Sequence, residues 1–132
     1  MSIISNSRPV FVKMTDDSPQ IVLDVDNSMF KIEGPSYPED SYDVYTVVLE
    51  WILGLDGNVN SELICDFNFK VLSSASHKMV YEIIIKLEDL YKKTNNVIIN
   101  WHYLTYDEDL FEIGEDFSDT VEVPFKFLPY ED

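Results

Sequence analysis

The chain has 132 residues, 45% of them hydrophobic, and sets 25 Asp and Glu against 9 Lys and Arg for a formal net charge of −16. That length and apolar content fit a single domain over residues 1–132, with its core from about residue 9 to residue 128, and exclude two independent domains. The charge excludes nucleic acid and membrane as partners, because both repel a negative surface, and makes basic protein surfaces the natural complement.

The amino-terminal stretch MSIISNSRPVFVKM has no cationic segment leading into an apolar run. No stretch reaches the roughly 18 apolar residues of a spanning helix, so neither secretion nor membrane insertion is expected. From Pro9 to Glu33, Val10, Val12, Ile21, Leu23, Val25, Phe30 and Ile32 recur around a turn-like Asp26-Asn27, which predicts two or three antiparallel strands. Residues 34–38 break that pattern. Pro38, followed by Glu39, Asp40 and Asp43, puts proline and negative charge where a helix start favours them. A helix from about Glu39 to Leu53 follows, with Gly54 as its stop, although Val44, Val47, Val48 and Ile52 would also suit a strand.

Between Leu63 and Val71, Leu63, Cys65, Phe67, Phe69 and Val71 fall on one face of a strand and Asp66, Asn68 and Lys70 on the other. Cys65 is the single cysteine. It can form no internal disulfide, which suits a reducing, cytoplasmic setting, and its place on the apolar face reads as a buried, inert thiol. From about Ser76 to Lys93, Met79, Val80, Ile83, Ile84, Leu87, Leu90 and Tyr91 trace one stripe at helical spacing. Lys78, Glu82 and Lys86 follow at four-residue steps on its outer, solvated face. Val97, Ile99, Trp101 and Tyr103 then alternate with Asn100 and His102 as a strand. The acidic stretch from Asp107 to Asp119 places Leu110, Phe111, Ile113 and Phe117 among seven carboxylates, as in a short amphipathic helix. Val121, Val123, Phe125 and Phe127 predict a closing strand, opposed by Glu122 and Lys126.

Four strands with one apolar and one polar face imply a sheet covered on one side only. The predicted fold is therefore α/β with two layers: a mixed β-sheet with helices on one face, whose right-handed crossovers set the later strands parallel or mixed with the first hairpin.

The segment from Leu72 to Lys78 joins a strand to the start of the strongest helix. Free N–H groups and the helix dipole favour an anion there, so a phosphate on Ser73, Ser74 or Ser76 would be stabilised locally, with Lys78 close by. Serine is also a preferred N-cap and needs no modification for that role. The carboxylates from Asp107 to Asp119 lack EF-hand spacing and mark no pocket, so a solvated helix outranks a metal site or a glycosidase pair. His77 and His102 stand in no ligand or nucleophile spacing. Glycines 34, 54, 57 and 114 form no phosphate-cradling loop, and no cofactor is expected.

Several stretches taken together resemble the SiaC family of bacterial regulatory phosphoproteins. They are Gly34-Pro-Ser-Tyr-Pro-Glu39, the helix bearing Trp51, the segment Ser73 to Lys78, Asn100-Trp-His-Tyr103, Asp107-Glu-Asp109, Gly114-Glu-Asp116 and Pro124-Phe-Lys-Phe127, spread from about Leu23 to Phe127. The resemblance implies a fold like that of the anti-sigma-factor antagonists, the STAS class, and a non-enzymatic role in partner switching. In such circuits a protein kinase phosphorylates the small domain and a metal-dependent phosphatase restores it. The unmodified form engages an effector, in this family a diguanylate cyclase. The family's switch segment reads Asn-Thr-Ser-Ser-Ser-Lys with the threonine as phosphoacceptor, and alignment on Lys78 puts Ser74 at that threonine. Here Ser73 replaces the asparagine, while Ala75 and His77 replace two serines. Ser74 is thus the expected acceptor, with Ser73 and Ser76 as fallbacks, and Ser73, Ser74, Ser76, His77 and Lys78 as the expected partner contact. The alternatives are a constitutive adaptor whose serines only cap the helix, an acidic hydrolase, and an acidic decoy for a DNA-binding protein.

Overall fold

The structure is a computed structural model that describes residues 8–59 and 61–132. Val10 and Val12, with Ile21 and Leu23, supply the apolar side of an opening hairpin formed by β1 (Val10–Val12) and β2 (Gln20–Asp24). A single 3-10 turn over Val25–Asn27 then reverses the chain. Asn27 Nδ2 donates to the Asp24 carboxylate at 2.6 Å, and Ser28 takes a left-handed conformation with φ 55°. β3 (Met29–Ser36) therefore returns antiparallel to β2.

Three strand–helix–strand crossovers follow. They run through α1 (Ser41–Leu55), β4 (Leu63–Leu72), α2 (Ser74–Thr94), β5 (Val97–Leu104), α3 (Glu108–Thr120) and β6 (Phe125–Tyr130). The sheet keeps sequence order, β1-β2-β3-β4-β5-β6, with β3 to β6 parallel. Crossovers of one hand that always step to the next strand return to the same face. The mixed sheet and its single helical layer are as the alternation predicts.

The core lies between these layers. Phe30, Ile32, Cys65, Phe67, Ile99 and Trp101 from the sheet meet Tyr45, Val48, Leu55, Val80, Ile83, Ile84 and Leu87 from the helices, all of them essentially closed to solvent. Burial raises the Cys65 thiol well above its ordinary pKa, with the neighbouring Asp66 charge adding to the shift. Rings run across the middle of this layer: Phe30 lies 5.6 Å from Phe67, and Phe67 lies 5.9 Å from Trp101. Truncating such a ring to alanine costs about 3–5 kcal/mol. Trp101 also holds α3 against the sheet. Its Nε1 donates to the Leu110 carbonyl at 2.9 Å, and a Cβ on Gly114 would stand 2.5 Å from its ring.

Both ends of α1 and the closing strand differ from the sequence expectation. α1 begins after Asp40, whose carboxylate accepts from Asp43 N, so the cap and not Glu39 sets its start. It also runs through Gly54 and stops at Asp56, which takes the left-handed conformation with φ 48°. The closing strand is Phe125–Tyr130, not Val121–Phe127. Val123 is buried in the approach to the sheet, and Pro124, which has no N–H, immediately precedes the ladder that pairs Phe125 with Ile99. Pro129 is accommodated because β6 is an edge strand. Among the described residues no helix is long and apolar enough to cross a membrane.

Candidate functional site

β3 and β4 are parallel neighbours that end together, Ser36 beside Leu72, so the helices that follow them start side by side. Between β4 and α2 only Ser73 lies outside regular structure. The expected loop over residues 73–78 is therefore mostly the first turn of α2, which starts two residues earlier than the apolar stripe predicts. Ser73 explains the early start. It is the N-cap, extended at φ −70° and ψ 164°, and its Oγ accepts from Ser76 N at 3.2 Å. Its own N–H donates to the Ser36 carbonyl at 2.9 Å, tying the turn to β3.

The serines of this turn have different surroundings. Ser74, the first residue of α2, is exposed, and among the described residues no hydrogen bond engages its hydroxyl. Ser76 is fully buried. Its Oγ accepts from Ser36 Oγ at 2.8 Å and lies 3.2 Å from Ser41 Oγ, while Ser36 Oγ also meets the Tyr45 hydroxyl at 2.5 Å. Burial pushes the Tyr45 phenol well above its ordinary pKa, so it stays a neutral hydroxyl in this cluster. The expectation of Ser76 as a fallback acceptor and contact residue is thereby corrected: its oxygen is spent inside the protein, joining the amino ends of α1 and α2 to β3. His77 is half-buried, its ring 4.8 Å from that of Phe117 on α3, so it packs the helix layer more than it faces a partner. Lys78 is exposed one turn beyond Ser74.

Electrostatically this helix start stands apart. α1 begins with Asp40 as cap and Asp43 in its first turn, and α3 begins with Asp107 as cap and Glu108 and Asp109 behind it. α2 begins with a neutral cap and has no acid in its first turn. Its dipole is the one of the three left uncompensated by a carboxylate. Tyr37, in the β3–α1 connection, and Tyr42, in the first turn of α1, are 50% and 62% exposed, and the Tyr37 hydroxyl donates to the Asp16 carbonyl at 3.1 Å.

The carboxylates of α3 lie along a helix in solvent, and among the described residues no three His, Cys, Asp or Glu side chains gather as a metal site. His102 sits on the polar strand face as expected, its Nε2 2.7 Å from Asp66 Oδ1. Because the parallel strands follow sequence order, the sheet has no topological switch point, the place where open α/β sheets form ligand crevices.

The fold and its matches to known proteins place the chain in the class of regulatory proteins. The profile of the SiaC family regulatory phosphoproteins matches residues 12–130, and the chain belongs to that family. Its members are regulatory proteins, and this chain is accordingly not an enzyme. An uncharacterized protein of Pseudomonas aeruginosa (strain UCBPP-PA14) is 26% identical over 118 residues, which is 89% of this chain and 94% of that protein. SiaC of Pseudomonas aeruginosa, solved in complex with the diguanylate cyclase SiaD that it activates, superposes with a TM-score of 0.85 at 26% identity, over 92% of this chain and 99% of that one. Apo-SiaC from the same organism gives 0.82 at 25% identity, over 92% and 98%.

Proposed function

We propose that this chain is a phosphorylation-controlled activator that binds a diguanylate cyclase when unmodified, with Ser74 as the acceptor. The observation that carries the reading is the amino end of α2, where an exposed, unengaged hydroxyl sits on the one helix start that has neither an acidic cap nor an acidic first turn. A cognate kinase transfers the γ-phosphoryl group of ATP to Ser74 Oγ, and a metal-dependent phosphatase removes it by hydrolysis. The phosphate brings about −1.5 to −2 charges to a place where the helix dipole and Lys78 stabilise them. The domain stays folded, while the contact surface around Ser74 and Lys78 changes charge and shape. SiaC's complex with SiaD supports a cyclase as the effector.

Incubation with the cognate kinase and ATP, followed by mapping of the modified residue, tests the assignment. Label at Ser74 that disappears in Ser74→Ala is the expected result; label confined to other residues removes it. Ser74→Glu weakens cyclase binding in calorimetry by about tenfold or more, with no loss of melting temperature. A second reading, the constitutive adaptor, draws on Ser73 and Ser76, both of which have purely structural work in this turn. Equal binding by wild type, Ser74→Ala and Ser74→Glu decides for it.

A further inference from the structure

The face of the sheet opposite the helices is covered by no described element. The charged side chains that the strands place on it are Lys31, Lys70 and Lys126 against Asp24, Glu33 and Asp66, three of each sign. A chain of net charge −16 therefore has one large face that is neutral, and the excess sits on the helices, connections and ends. α3 alone carries six carboxylates and no cation.

This face is also partly apolar. The register sets Met29 beside Ile64 and Ile64 beside Ile98, a row crossing three strands in which Met29 is 44% and Ile64 38% exposed. Phe11, on the edge strand β1, is 66% exposed beside Val22. In the centre Asp66 Oδ1 accepts from Asn100 Nδ2 at 3.1 Å, and the buried Asn100 Oδ1 is left without a donor among the described residues.

We infer that this face docks a second copy of the chain in a twofold pairing. Two molecules of the same large negative charge repel each other along every acidic approach, and the charge-balanced sheet face is where that repulsion is smallest. A basic partner, by contrast, is drawn to the acidic helix layer and gains nothing here. Size sets the strength. Six strands about 4.8 Å apart, each presenting about six residues of roughly 3.3 Å, give a flat footprint on the order of 500 Å². Specific interfaces bury about 800 Å² of accessible surface per partner, so the pairing is weak and concentration-dependent.

Sedimentation equilibrium of the full chain between about 10 μM and about 1 mM tests this. The average mass is expected to rise from 15.4 kDa toward twice that value, more readily at higher salt, which screens the net repulsion. Ile64→Asp and Phe11→Asp, both at exposed positions, raise the dimer dissociation constant by about tenfold or more, because each puts two like charges into one interface. Leu53→Asp adds the same charge at a 64% exposed position on α1 and leaves the constant unchanged. A constant mass of 15.4 kDa at every concentration overturns the inference. So does a dimer indifferent to both sheet substitutions, a dimer equally weakened by Leu53→Asp, or loss of cyclase binding in Ile64→Asp without any effect on mass, which would give the face to the effector.

Discussion

The amino ends of α2 and α3 solve the same problem with opposite chemistry. Each helix leaves N–H groups without partners in its first turn, and each is capped by a side-chain oxygen that accepts from the residue three positions on, Ser76 N for Ser73 and Leu110 N for Asp107. α3 does so with a carboxylate and two more acids behind it, so its dipole is already answered. It is also locked to the sheet through Trp101 and Gly114. α2 does so with neutral hydroxyls and leaves one of them in solvent. An acidic helix start is finished as a structure; a neutral one keeps the capacity to gain charge.

The comparison can be broken most severely from inside the α2 turn. Ser76→Glu forces a carboxylate into the closed hydroxyl cluster and is expected to cost about 3–5 kcal/mol, read as a collapse of the denaturation midpoint, while Ser74→Glu two residues away causes no loss of stability. On the α3 side, Gly114→Ala drives a methyl group into the Trp101 ring. Its expected cost is about 1–3 kcal/mol in urea unfolding, with altered Trp fluorescence as the local sign. The two caps can then be compared directly. Ser73→Ala and Asp107→Ala each remove about 1 kcal/mol, but only the second loss shrinks as salt rises, because only it includes a charge–dipole contribution. The smallest change is a gain. Ala75→Glu supplies the acid that α2 lacks and is expected to stabilise the protein by about 0.3–1 kcal/mol at low salt, whereas exposed positions in the α3 first turn are already acidic.

Much of the fold was legible because burial leaves periodic marks. Phe67 and Phe69 against Asp66 and Asn68, or Ile83, Ile84 and Leu87 at helical spacing, place a strand and a helix without any knowledge of neighbours. Boundaries were less legible, since a cap outweighs an apolar pattern: Ser73 starts α2 before its stripe begins, and Asp56 ends α1 after Gly54 has been passed. The closing strand was misplaced because Val121 and Val123 alternate for packing on the way to the sheet and not for pairing in it.

The candidate site divided in the same manner. The amino-acid order alone determined that a serine-rich turn precedes the amphipathic helix, that the chain is strongly acidic, and that one sheet face is polar, since these are properties of spacing and composition. Which serine stays in solvent and which one is drawn into the interior were decided only in three dimensions. The parallel pairing of β3 with β4 brings Ser36 and Ser41, more than thirty residues away, against Ser76, and a hydroxyl's surroundings depend on contacts that no local pattern encodes.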